Sequence, residues 1–235
     1  MDYIIEKLFS MKDEKYKNFT AGLIPDVSPE KIIGVRVPDI RKLAKELAED
    51  PERREEIDAF LNELPHNYLE ENHLHGFLID RMYDDFDEAL AETDRFLPYI
   101  WSWADCDGFR PKALKKEKKR LKQYVYDCFN SSETYVIRFG LVTFLNRFLD
   151  DDFEEEMLEK VCSIKSDEYY VNMAVAWYLS MALVKQYEST IEYFEKRRLD
   201  PWIHNKALQK AVESKQVSEE RKDYFRGLKI KKVII

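Results

Sequence analysis

Along most of the chain apolar residues return every three to four positions, the period of a helix with one buried face. In PDIRKLAKELAED, Ile40, Leu43, Ala44 and Leu47 fall at i, i+3, i+4 and i+7, and Pro38 suits a first helical turn. The same spacing predicts helices over 70–83, 87–100, 133–149, 153–164, 167–186, 189–198 and 201–214. Helix-starting residues stand in the short connections: Ser131 and Ser132, Asp150 to Asp152, Ser166 and Asp167, Asp200 with Pro201, and Ser218. No segment shows the strict alternation of a strand.

Helices of ten to twenty residues joined by a few residues suit antiparallel pairs. From about residue 87 the pairs recur at roughly 40 residues, an interval of the HEAT and armadillo type. The fold class expected is therefore all-α: a HEAT-like helical-repeat solenoid with a concave face, forming a single domain over residues 1–235. A compact all-α bundle is the alternative, and it lacks the concave face that wraps an extended ligand.

Composition agrees with helices, since only 6 Gly and 8 Pro interrupt the chain. A net charge of −8 disfavours a protein that coats nucleic acid uniformly. Cys106, Cys128 and Cys162 are widely spaced without a CxxC pattern, which points to a reduced cytoplasm. The acidic, amphipathic start MDYIIEKLF does not read as a secretory leader, and no apolar stretch reaches the roughly 18 residues of a membrane span.

Candidate chemistry concentrates in WSWADCDGFRPKALKKEKKR, residues 101–120. Trp103 and Asp107 are four apart and share a helix face, whereas Asp105 points elsewhere. Gly108 and Pro111 end that helix, so Asp107 sits in a last turn, where the helix dipole disfavours a carboxylate. Asp107 reads either as an ordinary loop or salt-bridge aspartate or as a carboxylate awaiting a cationic partner. The cations Arg110, Lys112, Lys115, Lys116, Lys118, Lys119, Arg120 and Lys122 follow, opposed only by Glu117. They read either as a solvated helix face or as a phosphate-contacting stripe. Arg138 shares a helix face with Leu141, Val142 and Leu145, so it needs a carboxylate or phosphate, structural or functional. Trp177 lies in a helix that is apolar almost all round and is either core or an indole face open to a cation. His73 and His75, two apart, cannot share a helix face, and neither HExxH nor Cys/His spacing suggests zinc. The chain has no P-loop, GxGxxG or GxSxG, and His204 has no evident triad partner.

GVRVPDIRKLAKEL (34–47), WADCD (103–107), YVIRFGLV (135–142), YYVNMAVAWYLSMALVKQYE (169–188) and LDPWIHNKALQKAVES (199–214) together resemble the AlkD-like DNA alkylation repair proteins, HEAT-like repeat DNA glycosylases. The resemblance runs from about residue 30 to 228. It implies that Asp107 is the catalytic carboxylate and that Trp103 and Trp177 face the lesion-bearing nucleotide. It also implies that Arg138 holds the DNA backbone, with Arg110, Lys112, Lys115, Lys116 and Lys119 as further backbone contacts. Arg36 and Tyr16 are additional candidates for the concave face. The implied activity is hydrolysis of the N-glycosidic bond of positively charged N3- or N7-alkylpurines in double-stranded DNA, by a cytoplasmic monomer with no metal or organic cofactor. The chain departs from the family in charge, with a pI near 5.3. A non-catalytic helical-repeat protein that binds DNA or another protein is therefore the alternative reading.

Overall fold

The computed structural model describes residues 3–231. Every regular element among the described residues is a helix. None of those helices is long and apolar enough to cross a membrane. The chain divides into two compact units, 1–121 and 122–235.

In the first unit the helices are α1 (Tyr3–Ser10), α2 (Glu14–Leu23), α3 (Val37–Glu49), α4 (Arg54–Asn62), α5 (Leu69–Met82), α6 (Phe86–Phe96) and α7 (Trp103–Gly108). A 3₁₀ segment, Lys112–Glu117, leads into α8 (Lys118–Cys128), within which the unit boundary falls. The second unit continues with α9 (Thr134–Arg147), α10 (Glu155–Ser163), α11 (Tyr169–Lys185), α12 (Tyr187–Glu195), α13 (Pro201–Glu213) and α14 (Glu219–Leu228). The expected helices are all present, most with ends moved by one to three residues.

The caps explain several boundaries. Asp200 Oδ1 accepts from the backbone N–H groups of Trp202 and Ile203 at 2.8 and 3.3 Å, and Pro201 occupies the first turn of α13. Ser218 caps α14 through the Arg221 N–H. Ser131 and Ser166 act one step earlier, each accepting from the N–H of the residue that precedes the helix, Glu133 or Glu168.

Stacking follows alternate helices. In the first unit α3 packs on α5, and α5 also meets α6 and α7. In the second unit α9 packs on α11 and α11 on α13, while α12 lies against α11 and α14 against α13. Polar bonds join positions one repeat apart in each unit. In the first, Gly34 pairs with Glu70, Asn72 with Asp105 and Lys112 with Asp80, and in the second Arg138 pairs with Tyr170 and Gln186 with Leu149. These rungs span 32 to 37 residues, so the physical repeat is shorter than the roughly 40 inferred from helix spacing.

Helix α5 is buried on every side, polar residues included: Glu70, Glu71, Asn72, His73 and His75 are all buried. Glu70 accepts from the backbone N–H groups of Ile33, Gly34 and Val35 at 2.9, 2.7 and 3.1 Å, which ties the strand-like approach of α3 to α5. Gly34 adopts φ +99, and a Cβ there would lie 2.6 Å from the Asp13 carbonyl oxygen, so both conformation and space require glycine.

His75 Nδ1 lies 2.8 Å from His66 Nε2, and the two rings stack on Phe96 and Phe60 respectively. Burial holds the His66 imidazole down to about 4 and that of His75 well below the usual histidine range, with each other's charge and that of Arg95 adding to the effect on His75. The unfolded chain therefore binds these protons near pH 6.5 and the fold resists them. Their contribution is complete above that pH and is lost as pH falls toward 4. For His66 alone the loss between pH 7 and pH 5 is about 2 kcal/mol. Urea unfolding followed by tryptophan fluorescence is expected to show this decline, and His66→Gln to flatten it.

Candidate functional site

The expected site residues divide between the units. Tyr16, Arg36, Trp103, Asp107 and the cations of 110–119 belong to the first, and Arg138 and Trp177 to the second.

Helix α7 has only six residues and carries the central pair. It starts because Ser102 Oγ accepts from the Ala104 N–H at 3.1 Å, and it ends at Gly108. Trp103 and Asp107 are both half-buried on it, one turn apart. The Trp103 ring side packs, with Trp101 and Ala104, against a small core of Ile24, Val27, Ile32 and Leu69. Arg110 Nε donates to the Asp107 carbonyl oxygen at 2.9 Å, placing a cation at the negative end of the helix. Asp105, on the opposite face, is 3% exposed and turned into the protein.

Two further aromatic and cationic pairs occur in the first unit. Lys31 Nζ lies 5.3 Å from the centre of the Trp101 ring. The Arg36 guanidinium stands 4.8 Å over the Tyr16 ring and pairs with Asp13 at 3.0 Å, so those two candidates are brought into direct contact. The Tyr16 backbone N–H, then the Arg36 hydrogen bond and the Lys15 N–H, hold the Asp13 carboxyl below its ordinary value.

Much of the basic stripe is engaged, two of its members with carboxylates one repeat earlier. Lys112 Nζ pairs with Asp80 at 2.9 Å, and its backbone N–H bonds the same side chain at 2.7 Å. Lys116 Nζ donates to the Asp84 carbonyl oxygen. Arg120 pairs with Asp87 and Glu117 and covers the face of Phe86. Lys122, in the second unit, pairs with Glu154 at 2.8 Å. Lys115 and Lys119 are exposed and have no ion-pair partner among the described residues. Lys112, Lys116 and Arg120 thus tie this run to DRMYDDFD, residues 80–87.

In the second unit Arg138 is 4% exposed, within a helix buried continuously from Ile137 to Leu145. Its Nη1 donates to the Tyr170 carbonyl oxygen of α11 at 2.9 Å. On α11, Trp177 is half-buried between buried Ala176 and Tyr178. With Tyr170, Met173 and Met181 it forms the one strip of that helix left partly open. Arg138 and Trp177 thus stand on neighbouring stacked helices.

Sequence reasoning missed the polar support beneath α7. Asn72 Nδ2 donates to Asp105 Oδ2 at 3.2 Å, and His73 Nε2 lies 3.4 Å from Asp105 Oδ1. The sequence signal was the polar EENH opening of a helix otherwise rich in apolar residues, which spacing alone assigns to solvent.

The chain belongs to the DNA alkylation repair enzyme family, whose model matches residues 4–212 and so runs from α1 into α13 across both units. Among curated proteins none matches it. Membership gives the chain a role in alkylation repair with DNA as partner. The match begins well before residue 30 and therefore takes in the helix carrying Tyr16.

Truncating Arg138 strips the Tyr170 carbonyl of a charged donor inside the second unit. Arg138→Ala is expected to destabilise the protein by about 2–4 kcal/mol, measured by urea unfolding. Arg138→Lys should recover only part of this, because an ammonium cannot reproduce the guanidinium's planar reach.

Proposed function

We propose that the protein is a monofunctional DNA glycosylase that releases positively charged N3- or N7-alkylpurines from duplex DNA. The observation that carries this reading is the pairing of Trp103 and Asp107 one turn apart on α7, in a chain of the alkylation repair family.

The chemistry needs little beyond a carboxylate, a cation-tolerant surface and water. Alkylation leaves the purine cationic, so cleavage of the C1′–N bond sends the electron pair to the base and releases it neutral. The sugar acquires oxocarbenium character, which the Asp107 carboxylate stabilises. Water adds to C1′ and loses its proton, with the same carboxylate orienting it. The Trp103 and Trp177 indoles offer π faces to the lesion-bearing nucleotide. Arg110, Lys112, Lys115, Lys116 and Lys119 are the backbone-directed cations of this reading, with Arg36 and Tyr16 a further contact, whereas Arg138, expected among them, is 4% exposed and holds the Tyr170 carbonyl from within the helix layer. Of the stripe, Lys115 and Lys119 are exposed and have neither a carboxylate nor a carbonyl partner among the described residues.

Single-turnover release of 7-methylguanine from a duplex oligonucleotide at low salt tests the proposal. Asp107→Asn is expected to lower the rate at least about 100-fold while duplex binding persists. Binding without release by the wild-type protein would overturn the catalytic reading. The engagement of Lys112, Lys116 and Arg120 favours that second reading, a non-catalytic binding member, over any role needing strong duplex affinity.

Salt dependence tests the stripe separately. Replacing Lys115 and Lys119 together by alanine is expected to reduce the slope of log K against log salt concentration by about 1–2. Replacing Lys112 should change it less, since that charge is already matched by Asp80.

A further inference from the structure

A row of aromatic rings runs along one end of the stacked helices in the second unit. The Tyr135 ring, at the start of α9, lies 6.1 Å from that of Tyr170, the second residue of α11. Tyr170 meets Tyr169 at 5.2 Å, and Tyr169 meets Trp202, the second residue of α13, at 5.8 Å. Tyr135 and Tyr170 are half-buried, whereas Tyr169 and Trp202 are 55% and 40% exposed. The core does not call for this last pair. Helix α13 buries Ile203, Ala207 and Ala211, and Trp202 lies on the side away from them.

Cations gather at the Trp202 end of the row, one from α13 and two from the chain beyond α14. Lys206 Nζ lies 5.7 Å from the centre of the Trp202 ring and bonds only the Gln209 amide oxygen, at 3.4 Å. Asn205 grips both backbone groups of Ile230: its Nδ2 donates to the carbonyl oxygen and its Oδ1 accepts from the N–H, each at 2.9 Å. The neighbouring His204 Nε2 lies 3.0 Å from the Leu228 carbonyl oxygen. This clamp holds Lys229 and Lys231, both exposed, beside the first turns of α13. Neither has a carboxylate partner among the described residues. Of the nearby acids, Asp200 is committed to capping α13. Asp167 and Glu168 are exposed just before Tyr169, so the cationic side of the row is the Trp202 side.

We propose that this end of the second unit is a docking surface for single-stranded DNA, with unpaired bases against Tyr169 and Trp202 and phosphates over Lys206, Lys229 and Lys231. The two rings stand at 68° to each other, so a base laid flat on one presents its edge to the other. Stacking of this kind needs a base released from its pair, because in a duplex both faces of each base are already covered. An aromatic platform beside a line of cations is a general means of holding a single strand without reading its sequence. The cations favour a polyanion over a basic peptide, and DNA is the partner that family membership gives. The segment that supplies Lys229 and Lys231 lies beyond residue 212, where the family match ends. The surface does not rest on the glycosylase reading, whose Trp103 and Asp107 belong to the first unit.

Fluorescence anisotropy of a labelled oligothymidylate, titrated with the full chain at low salt, tests the proposal. This probe has no internal pairing, so its bases are free to stack. Tyr169→Ala and Trp202→Ala are each expected to weaken binding about 5-fold to 100-fold. Trp202→Phe, which keeps a ring, should retain most of the affinity, and Trp202→Leu should not. Replacing Lys229 and Lys231 together by alanine should lower the slope of log K against log salt concentration by about 1–1.5. Both rings are exposed, so the urea midpoints of these variants are expected to match the wild type. A wild-type protein that does not bind oligothymidylate, or binding unchanged by Tyr169→Ala and Trp202→Ala, would overturn the proposal. So would equal losses for single strand and intact duplex, equal affinities of the Phe and Leu variants, or tighter binding of oligouridylate. Asp107→Asn should bind oligothymidylate as the wild type does. Oligothymidylate binding without release of 7-methylguanine would therefore sink the glycosylase reading and leave the docking surface standing.

Discussion

A helix that buries polar side chains on all its faces must find each of them a partner, and α5 organises the first unit by doing so. Glu70 takes the three backbone donors that precede α3, Glu71 accepts from the N–H groups of Asn67 and Tyr68, Asn72 and His73 reach α7, and His75 meets His66. The partners lie on three segments, the approach to α3, the loop of residues 66–68 and α7, so one helix fixes the approach of several others. The cost of leaving any of these groups unmatched in a low-dielectric interior is what makes the arrangement specific. Apolar packing of Ile40, Leu43, Leu74 and Leu78 supplies bulk cohesion, and the polar contacts select the register.

The second unit works by different means. Its central helix, α11, is nearly all apolar, and it is sandwiched between α9 and α13. Polar bonds appear there chiefly at helix ends, as with Lys185 to Asp150 and Gln186 to the Leu149 carbonyl. Arg138 is the exception, a guanidinium inside an apolar layer with a carbonyl from the next stacked helix as partner. The two units therefore place their candidate residues differently: α7 is a short segment suspended from a polar junction, whereas Trp177 stands on a long apolar helix packed between two others.

Periodicity made the long helices readable because each has one face to bury: α3, α6, α10 and α13 keep the i, i+3, i+4 pattern of a half-buried rod. It also exposed α11, whose apolar surround marks it as central. What it could not supply was α2, which buries no residue completely and so carries no strong stripe, or the burial of Glu70 and His75, whose polar identity argues for solvent until their partners are known. The Trp103 and Asp107 pairing was legible from a spacing of four, and the inward turn of Asp105 from its offset between them. The fate of the basic run was not, because its acidic counterparts lie a repeat earlier and only the stacking of repeats brings 80–87 against 112–120.

That contact also sets how the surface charge of this protein can change. Affinity for a polyanion is usually imagined to grow by acquiring lysines, but here Lys112 and Arg120 already stand in place, each matched by a carboxylate. Loss of a single acidic side chain, such as Asp80, would leave Lys112 without its carboxylate and so unmask a cation without adding one. Asp80 and Asp87 thus act as counterweights: the net positive charge of this surface can be raised or lowered through side chains one repeat away, at the expense of cohesion along the seam between neighbouring repeats.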